Sequence, residues 1–420
     1  MKTLFRNATV SDKNSSFNGK KVDILIASGK IEKIASSLTE KADEEIDLKG
    51  AFVSPGFLDL QASYCDPGLE HKETLQTGAA AAVKGGFTHV LVMPDSQPVM
   101  SGKTIVDYIS NHSKSLPVNM IPCGSVSQKF DGENLAEMYD MWQSGARAFF
   151  DVNHYVRAGL MSRALLYAKN FGGKVFSLPF DPSLAPGGLM HEGVVSTSLG
   201  LKGIPELAEE IVVQRDLHLA AYHNAPVHFA GISAPRSFEY ISEAIKKGTE
   251  VTSHLPAFLL FFTDEDLVGF DTHLKVIPPL RSARVKDALI DAVVKGKCDA
   301  IASHHTPQDT ESKSVEFDHA EFGMIAQETA FSAAFTVLEP KMKVEEITAL
   351  FSHGPRRVLG LPEIKIEAGY NADLSIFSTI EEWVYAKSDT RSLSANTPFE
   401  GKKLKGKIIG TFTKGSYNKA

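Results

Sequence analysis

Cysteine is scarce in this chain of 420 residues, which contains only Cys65, Cys123 and Cys298. Their odd number and wide spacing argue against a disulfide framework and indicate a reducing compartment. The chain also lacks an apolar run of the roughly 18 residues that a membrane span needs, and its first residues, MKTLFRNATVSDKNSS, lack the apolar core of a secretion signal. We therefore expect a cytoplasmic protein with no membrane partner.

Blocks of basic residues are absent as well. The net charge is −7, so nucleic acid is a poor candidate as a partner. Neither Gly85-Gly86 nor Gly187-Gly188 sits in the glycine-rich pattern that cradles nucleotide phosphates, and we expect no nucleotide cofactor. An apolar fraction of 43% and a charged fraction of 23% are typical of a globular protein with a sizeable core.

The periodicity of the sequence divides the chain into three stretches. Residues 1–52 contain short strand-like segments separated by turn residues such as Asn18-Gly19, and short strands return after about residue 361. Between these stretches, strand-like apolar runs such as 89–93 and 250–254 alternate with amphipathic segments such as 74–84 and 204–222. Strands that alternate with helices in this way favour a parallel sheet, and so many repeats of the unit favour an α/β barrel.

The stretch VSPGFLDLQASYCDPG (53–68) is the centre of this pattern. It reads as a buried strand that opens into a loop. Residues two apart on a strand point to the same face, so Gln61 and Ser63 share a face at the carboxyl end of the strand. They offer an amide oxygen and a hydroxyl, whereas zinc is held by Cys, His and carboxylate ligands.

This stretch resembles the first barrel strand of the dihydroorotase branch of the amidohydrolase superfamily, which carries His-x-His where this chain has Gln61 and Ser63. Further ordered matches run to the end of the chain: HKETLQTGAAAAVKGGFTHVLVMPDSQPV, GGLMHEG, GIPELAEEIVVQRDLHLA, KVIPPLR, DAIASHHTP, FGMIAQET, AGYNADLSIF and NTPFEGKKLKGK. The resemblance implies a (β/α)₈ TIM barrel of the amidohydrolase type over residues 53–360. It also implies one small β-sandwich built from residues 1–52 and 361–420.

The resemblance assigns a position to each member of the family's metal centre and substrate pocket. Five metal positions have changed: the first two histidines to Gln61 and Ser63, two later histidines to Leu178 and Gly231, and the late aspartate to His304. The bridging position keeps an acid, Asp151. Four substrate-contacting positions have changed too, to Cys65 from arginine, Asp95 and Ile277 from asparagine, and Gln308 from histidine.

Because these positions have changed, we expect no catalytic residues and no cofactor. Leucine and glycine side chains cannot coordinate a metal ion. A relocated site built on Asp151 and His304 offers two ligands, fewer than the roughly three protein ligands of a catalytic zinc. His223, His228, His254 and His305 are the other histidines that such a site could recruit.

Two functions remain open on the sequence. The chain resembles the non-catalytic dihydroorotase-like subunits that assemble with aspartate transcarbamoylase. That resemblance implies a pseudoenzyme with a structural or regulatory role in pyrimidine biosynthesis. The partners it implies are aspartate transcarbamoylase or an active dihydroorotase, with self-association into a homo-oligomer. The alternative is an active hydrolase of cyclic amide C–N bonds, acting on dihydroorotate or another cyclic amide with a rebuilt zinc site.

Overall fold

A parallel barrel forms the centre of the computed structural model, which describes residues 2–380 and 382–420. Eight strands follow one another around it in chain order: Phe57–Ala62, Phe87–Val92, Asn119–Gly124, Ala148–Phe149, Lys174–Ser177, Val227–Ala230, Val251–Pro256 and Ala300–Ala302. A parallel bridge between Ala62 and His305 joins the last strand region back to the first. The predicted fold class, an amidohydrolase-type barrel with a terminal β-sandwich, is confirmed.

Helices cover the outside of the barrel. The α-helices are Leu75–Lys84, Lys103–Ser113, Met138–Gln143, Ala158–Lys169, Val194–Leu199, Leu207–His223, Pro235–Lys246, Ala283–Val294, Thr310–Lys313, Ala330–Leu338, Val344–Phe351 and His353–Leu359. The first shows how the sequence sets them: the Thr74 hydroxyl accepts a hydrogen bond from the Thr77 backbone N–H and caps the helix. Small apolar residues such as Ala79 and Ala82 are fully buried on its inner face, which lets the helix approach the strands closely.

A second sheet joins the two ends of the chain. Its strands lie in the order Ser416–Lys419, Lys407–Thr413, Leu374–Ser378, Phe52–Pro55, Lys2–Val10, Lys21–Ala27 and Lys30–Ala35, with Glu44–Asp47 paired to the Lys2–Val10 strand. The short strand Phe52–Pro55 runs parallel to the amino-terminal strand and antiparallel to Leu374–Ser378. A separate core of buried apolar residues from both ends, including Phe5, Ile24, Ile376 and Phe412, fills this unit. The domain limits of 1–52, 53–360 and 361–420 stay a prediction.

Some elements differ from the sequence-based expectation. Short strands of the β unit are predicted after about residue 361, but the strand Trp383–Val384 pairs with Lys403–Leu404 in a separate small sheet. A similar pair joins Met190–His191 to Gly203–Ile204. The barrel strand Asn119–Gly124 has no counterpart among the predicted strands, because Asn, Pro and Gly interrupt its apolar pattern.

The interior of the barrel is filled rather than hollow. Leu58, Leu60, Leu91, Phe150 and Phe176 are almost fully buried and belong to one apolar cluster at its centre. Such packed layers are typical of α/β barrels and fix the strand ends from which a pocket is built. Among the described residues, no helix combines the length and apolar character required to cross a lipid bilayer.

Candidate active site

A cavity of about 470 Å³ opens at the carboxyl ends of the barrel strands. This is the end at which barrel enzymes carry their active sites. The cavity brings together three of the sequence-predicted positions, Asp95, Ile277 and Gln308. Its wall also includes residues that the sequence analysis did not single out, among them His154, Phe180, Thr306 and Phe322.

Polar side chains at the end of the first barrel strand are buried, and Ser63 is hydrogen-bonded. The Ser63 hydroxyl donates to Asp95 Oδ2 at 2.5 Å, so these two predicted positions meet. Burial raises the pKa of Asp95, although this hydrogen bond opposes the rise. Gln61 is also buried, and its Oε1 has no hydrogen-bond partner within residues 2–380 and 382–420.

Cys65 lies beside this pair in a left-handed backbone conformation, with φ of +60°. Burial, together with the negative charge of Asp95, holds the pKa of its thiol well above the usual value. Cys65 is therefore a neutral thiol, and a neutral thiol is a poor nucleophile and a poor metal ligand.

Asp151, the acid kept at the bridging position, is enclosed by hydrogen-bond donors. The backbone N–H groups of Val126 and Ser127 donate to its Oδ1 at 2.7 and 3.0 Å, and the Ser127 hydroxyl donates to its Oδ2. Burial raises the pKa of Asp151, and the bonds from Ser127 act in the opposite direction. With only 1% of its surface exposed, this carboxylate holds the loop after the third barrel strand in place.

The ring of His304 packs directly against Gly231. A Cβ atom at Gly231 would lie 2.9 Å from His304 Cε1, closer than such atoms pack, and 3.2 Å from Pro278 Cδ, which is a tight contact. Gly231 also has a φ of +78°, a conformation that side-chain-bearing residues rarely adopt. The imidazole of His304 therefore fills the volume into which a side chain at position 231 would project.

His304 is the end of a chain of three buried imidazoles. The Nε2 of His228 lies 2.7 Å from Nδ1 of His254, and the Nε2 of His254 lies 2.8 Å from Nε2 of His304. At the other end, His228 Nδ1 is 2.8 Å from the Thr252 hydroxyl. His304 Nδ1 is buried and has no partner among the described residues.

Each link of this chain needs one N–H and one lone pair, so neutral rings satisfy it. Burial lowers the pKa of His254 to about 3, and burial with His254 as neighbour holds the pKa of His304 well below its usual value. The pKa of His228 is also held well below its usual value by burial and by His254. His223, another histidine considered for a relocated site, contacts Ser162 at 2.6 Å instead.

Of the remaining predicted positions, Gln308 lines the pocket and Leu178 does not. Gln308 accepts a hydrogen bond from Lys72 Nζ at 2.9 Å and donates one to the Phe322 carbonyl at 2.9 Å, so both ends of its amide are engaged. Leu178 is half-buried and packs against the apolar centre of the barrel. Nothing in the sequence around Lys72 signals its approach to Gln308, which lies 236 residues further along the chain.

Beneath the pocket lie two polar networks that sequence reasoning missed. Asp59 accepts hydrogen bonds from Ser303 N at 3.0 Å and Gln327 Nε2 at 2.9 Å, which joins the first and last barrel strands. Glu73 lies 3.2 Å from His305 Nε2. Burial alone would raise the pKa of Glu73, but the hydrogen bond and charge of His305 lower it below its usual value. His304 and His305 thus face different partners, as their adjacency on the chain predicts.

At most of the six metal positions, the side chain is engaged by another group or lacks a donor atom for a metal ion. Asp151 is turned to backbone donors, His304 is turned to His254, and Leu178 and Gly231 carry no donor atom. In residues 2–380 and 382–420, no group of three or more His, Cys, Asp or Glu side chains is arranged to hold a metal ion.

Comparison with known proteins identifies relatives that span nearly the whole chain. The dihydroorotase of Pelotomaculum thermopropionicum is 40% identical over 97% of this chain and 96% of its own length. The dihydroorotase of Syntrophus aciditrophicus is 36% identical over 99% of this chain and 98% of its own.

Solved structures share the fold at lower sequence identity. The L-hydantoinase (dihydropyrimidinase) of Arthrobacter aurescens superimposes with a TM-score of 0.88 at 21% identity, covering 99% of this chain and 95% of that one. The dihydropyrimidinase of Brevibacillus agri gives a TM-score of 0.83 at 20% identity, with the same coverage. The profile of the dihydro-orotase-like family matches residues 50–236. With full-length relatives at this identity, the chain belongs to the dihydroorotase-like family of the amidohydrolase superfamily.

Proposed function

We propose that this chain is a non-catalytic member of the dihydroorotase-like family, with a structural or regulatory role in de novo pyrimidine biosynthesis. The observation that carries the proposal is the close packing of the His304 ring against Gly231. The resemblance assigns a metal-binding histidine to position 231, and here the space for any side chain at that position is taken by the His304 ring.

The chemistry of cyclic amide hydrolysis makes the loss of the metal ligands costly. A catalytic metal lowers the pKa of its bound water from 15.7 to about 7. A single general base contributes only about 10²–10⁴-fold. His304 is a weak candidate for that base, because burial holds its pKa well below its usual value and its Nε2 is engaged with His254.

In this proposal, the chain acts by binding a partner protein. Following the resemblance to non-catalytic subunits, the partner is aspartate transcarbamoylase or an active dihydroorotase, and the chain also associates with itself. The well-packed barrel supports a scaffold of this kind, because its centre is filled by apolar side chains and a hydrogen bond from Ser303 to Asp59 joins its first and last strands.

A second candidate function is favoured by the relatives. Dihydroorotases from two organisms match this chain along nearly their whole length, and the barrel has an open cavity of about 470 Å³ where a substrate would bind. Under this candidate the chain hydrolyses dihydroorotate or another cyclic amide, with zinc held by a rearranged site that includes Asp151 or His304.

Growth separates the two candidates in a strain whose pyrimidine synthesis depends on this gene. Asp151→Asn replaces the carboxylate with an amide of the same shape, which removes a ligand and keeps an acceptor for Val126 N–H and Ser127 N–H. A scaffold with this substitution supports growth without added pyrimidines, whereas a metal-dependent hydrolase does not.

Co-purification from the native cell tests the partner. The proposal predicts that tagged wild-type chain and the Asp151→Asn variant both retain aspartate transcarbamoylase or an active dihydroorotase. If the tagged chain retains neither enzyme, the proposed role in assembly is wrong, whatever its activity.

A further inference from the structure

A second cavity lies at the opposite end of the barrel from the candidate active site. It has a volume of about 550 Å³ and sits where the amino-terminal ends of the second, third and fourth barrel strands meet the terminal β unit. The ends of those strands contribute His89, Asn119 and Arg147 to its wall, and the β unit contributes Asn371 and Asp373. This end of a barrel ordinarily serves stability rather than chemistry.

Arg356 is the unusual group in this cavity. Its side chain comes from the helix His353–Leu359 and lines the cavity, yet the residue is only 8% exposed. Arginine stays protonated inside proteins, and a buried charge is normally paired. Within residues 2–380 and 382–420, no carboxylate lies within salt-bridge distance of Arg356, and its buried Nε has no hydrogen-bond partner.

Among the side chains of residues 2–380 and 382–420, the ring of His89 is the one polar group within hydrogen-bond distance of Arg356. The two ring nitrogens lie 3.4 and 3.5 Å from Arg356 Nη2. Burial, with the charge of Arg356 as a second cause, holds the pKa of His89 well below its usual value, so this ring is neutral. A neutral imidazole cannot balance the charge of the guanidinium.

The acidic residues of the wall, Glu363 and Asp373, interact with Arg356 at most from a distance, because neither forms an ion pair with it in the described part of the chain. Glu363 is 3.3 Å from Lys365, and about half of its side chain is exposed, so water and Lys365 screen its charge. Asp373 accepts a hydrogen bond from the Thr413 hydroxyl at 2.9 Å; burial raises its pKa, and the charges of Arg356 and Lys414 act in the opposite direction. A fixed positive charge thus faces a cavity large enough for a small organic molecule.

We propose that this cavity binds a small organic oxyanion, a carboxylate or a phosphate ester, whose charged group pairs with the guanidinium of Arg356. A guanidinium presents its N–H donors as a fork that fits the two oxygens of such a group. The hydrocarbon part of the ligand lies against the apolar side of the wall, which includes Ile121, Pro122 and Leu361. Because the cavity contacts both the barrel strands and the terminal β unit, its ligand stabilises their junction.

Three small aromatic probes of similar shape test this site by their binding to the full-length protein. Benzoate and phenyl phosphate carry the two kinds of oxyanion on the same ring, and benzamide is the neutral control. Isothermal titration should give saturable binding of at least one of the two anions and none of benzamide. Binding of benzoate indicates a carboxylate ligand, and binding of phenyl phosphate indicates a phosphate ester.

Arg356→Met removes the charge and keeps much of the side-chain volume. It should weaken anion binding by about 10- to 100-fold, the loss expected for a charge-assisted pair. The matched control is Arg357→Met, since Arg357 is next on the same helix but is exposed and pairs with Asp299 at 2.8 Å. This control should leave anion binding unchanged.

Thermal unfolding keeps the test decisive if a variant folds poorly. Without ligand, Arg356→Met should unfold at the same temperature as the wild type or higher, because it removes an unpaired buried charge. Arg356→Lys, which keeps the charge and loses the fork, should fold and bind more weakly than the wild type. Absence of saturable binding of both anions to the wild type, or equal binding to Arg356→Met, would overturn the proposal.

Discussion

The Cε1 atom of His304 lies only 2.9 Å from the position that a Cβ atom at residue 231 would take. The two residues come from loops after the sixth and eighth barrel strands and are 73 positions apart in the sequence. Glycine at one position is therefore coupled to histidine at the other. In the family pattern, position 231 is a histidine and position 304 an aspartate, so both have changed in a way that fills one volume.

Gly231→Ala tests the close packing of the His304 ring against Gly231. The substitution should destabilise the protein through two effects, the φ of +78° and the contact with His304. The matched control is Gly248→Ala, where φ is +91° and no atom lies within 4 Å of the added Cβ. We expect Gly231→Ala to cost about 1–3 kcal/mol more than the control, the usual cost of overpacking.

Urea unfolding measures both variants, alone and combined with His304→Ala. Removal of the His304 ring leaves room for the added methyl group, so the excess cost of Gly231→Ala should shrink in that background. If Gly231→Ala costs no more than Gly248→Ala, the two residues do not share a space as described.

The buried imidazoles predict how stability depends on pH. His228, His254 and His304 have pKa values lowered by burial, whereas in the unfolded chain each titrates near 6.5. The unfolded state therefore binds more protons below that pH, so the stability is complete above about pH 6.5 and falls as the pH is lowered. At pH 5, each neutral buried imidazole should account for a loss of about 2 kcal/mol.

Unfolding free energies between pH 7.5 and 5 measure this loss. His228→Gln should reduce the slope, because one proton fewer is taken up on unfolding. The matched control is His218→Gln on the exposed face of the Leu207–His223 helix, which should leave the slope unchanged. A wild-type stability that stays flat over this range would contradict the neutral, hydrogen-bonded chain.

The sequence predicted the barrel because its evidence is local. Alternating strands and helices, and the Pro55-Gly56 turn before the first strand, are visible within short windows. The strand Asn119–Gly124 was not predicted because Asn119, Pro122 and Gly124 interrupt its apolar pattern, and its place in the sheet is set by neighbours on both sides.

The candidate site was predicted as a set of positions but not as a set of contacts. The resemblance locates His304 and Gly231, yet only the folded chain shows that one fills the space of the other. The imidazole chain also depends on residues 26 and 50 positions apart, and no local pattern connects them. Likewise, Asp151 reads as a retained ligand in sequence, whereas in the fold its oxygens are taken by Val126 and Ser127.

Asp151→Ala should therefore affect stability. It leaves the buried N–H groups of Val126 and Ser127 without acceptors, at about 1–3 kcal/mol for each buried group. The control is Asp131→Ala, because Asp131 also accepts two backbone bonds, from Glu133 and Asn134, but is exposed, so water replaces it. Urea unfolding of both variants checks the difference, and an equal cost for the two would show that Asp151 does not hold the loop.

Metal content provides a further test. We expect well below one zinc ion per purified chain by elemental analysis, because five of the six metal positions have changed. Adding Gln61→His and Ser63→His should not create a tight site, since Leu178 and Gly231 still offer no donor atom. Zinc that survives dialysis at one ion per wild-type chain would favour the active-hydrolase candidate.

The most direct test of the non-catalytic proposal is an assay of dihydroorotate hydrolysis and carbamoyl aspartate cyclisation in the presence of added zinc. The wild-type protein and the Asp151→Asn variant should both give rates equal to that of a heat-denatured sample. Wild-type turnover above that background, abolished by Asp151→Asn in a protein that remains folded, would contradict the proposal and establish the chain as an enzyme.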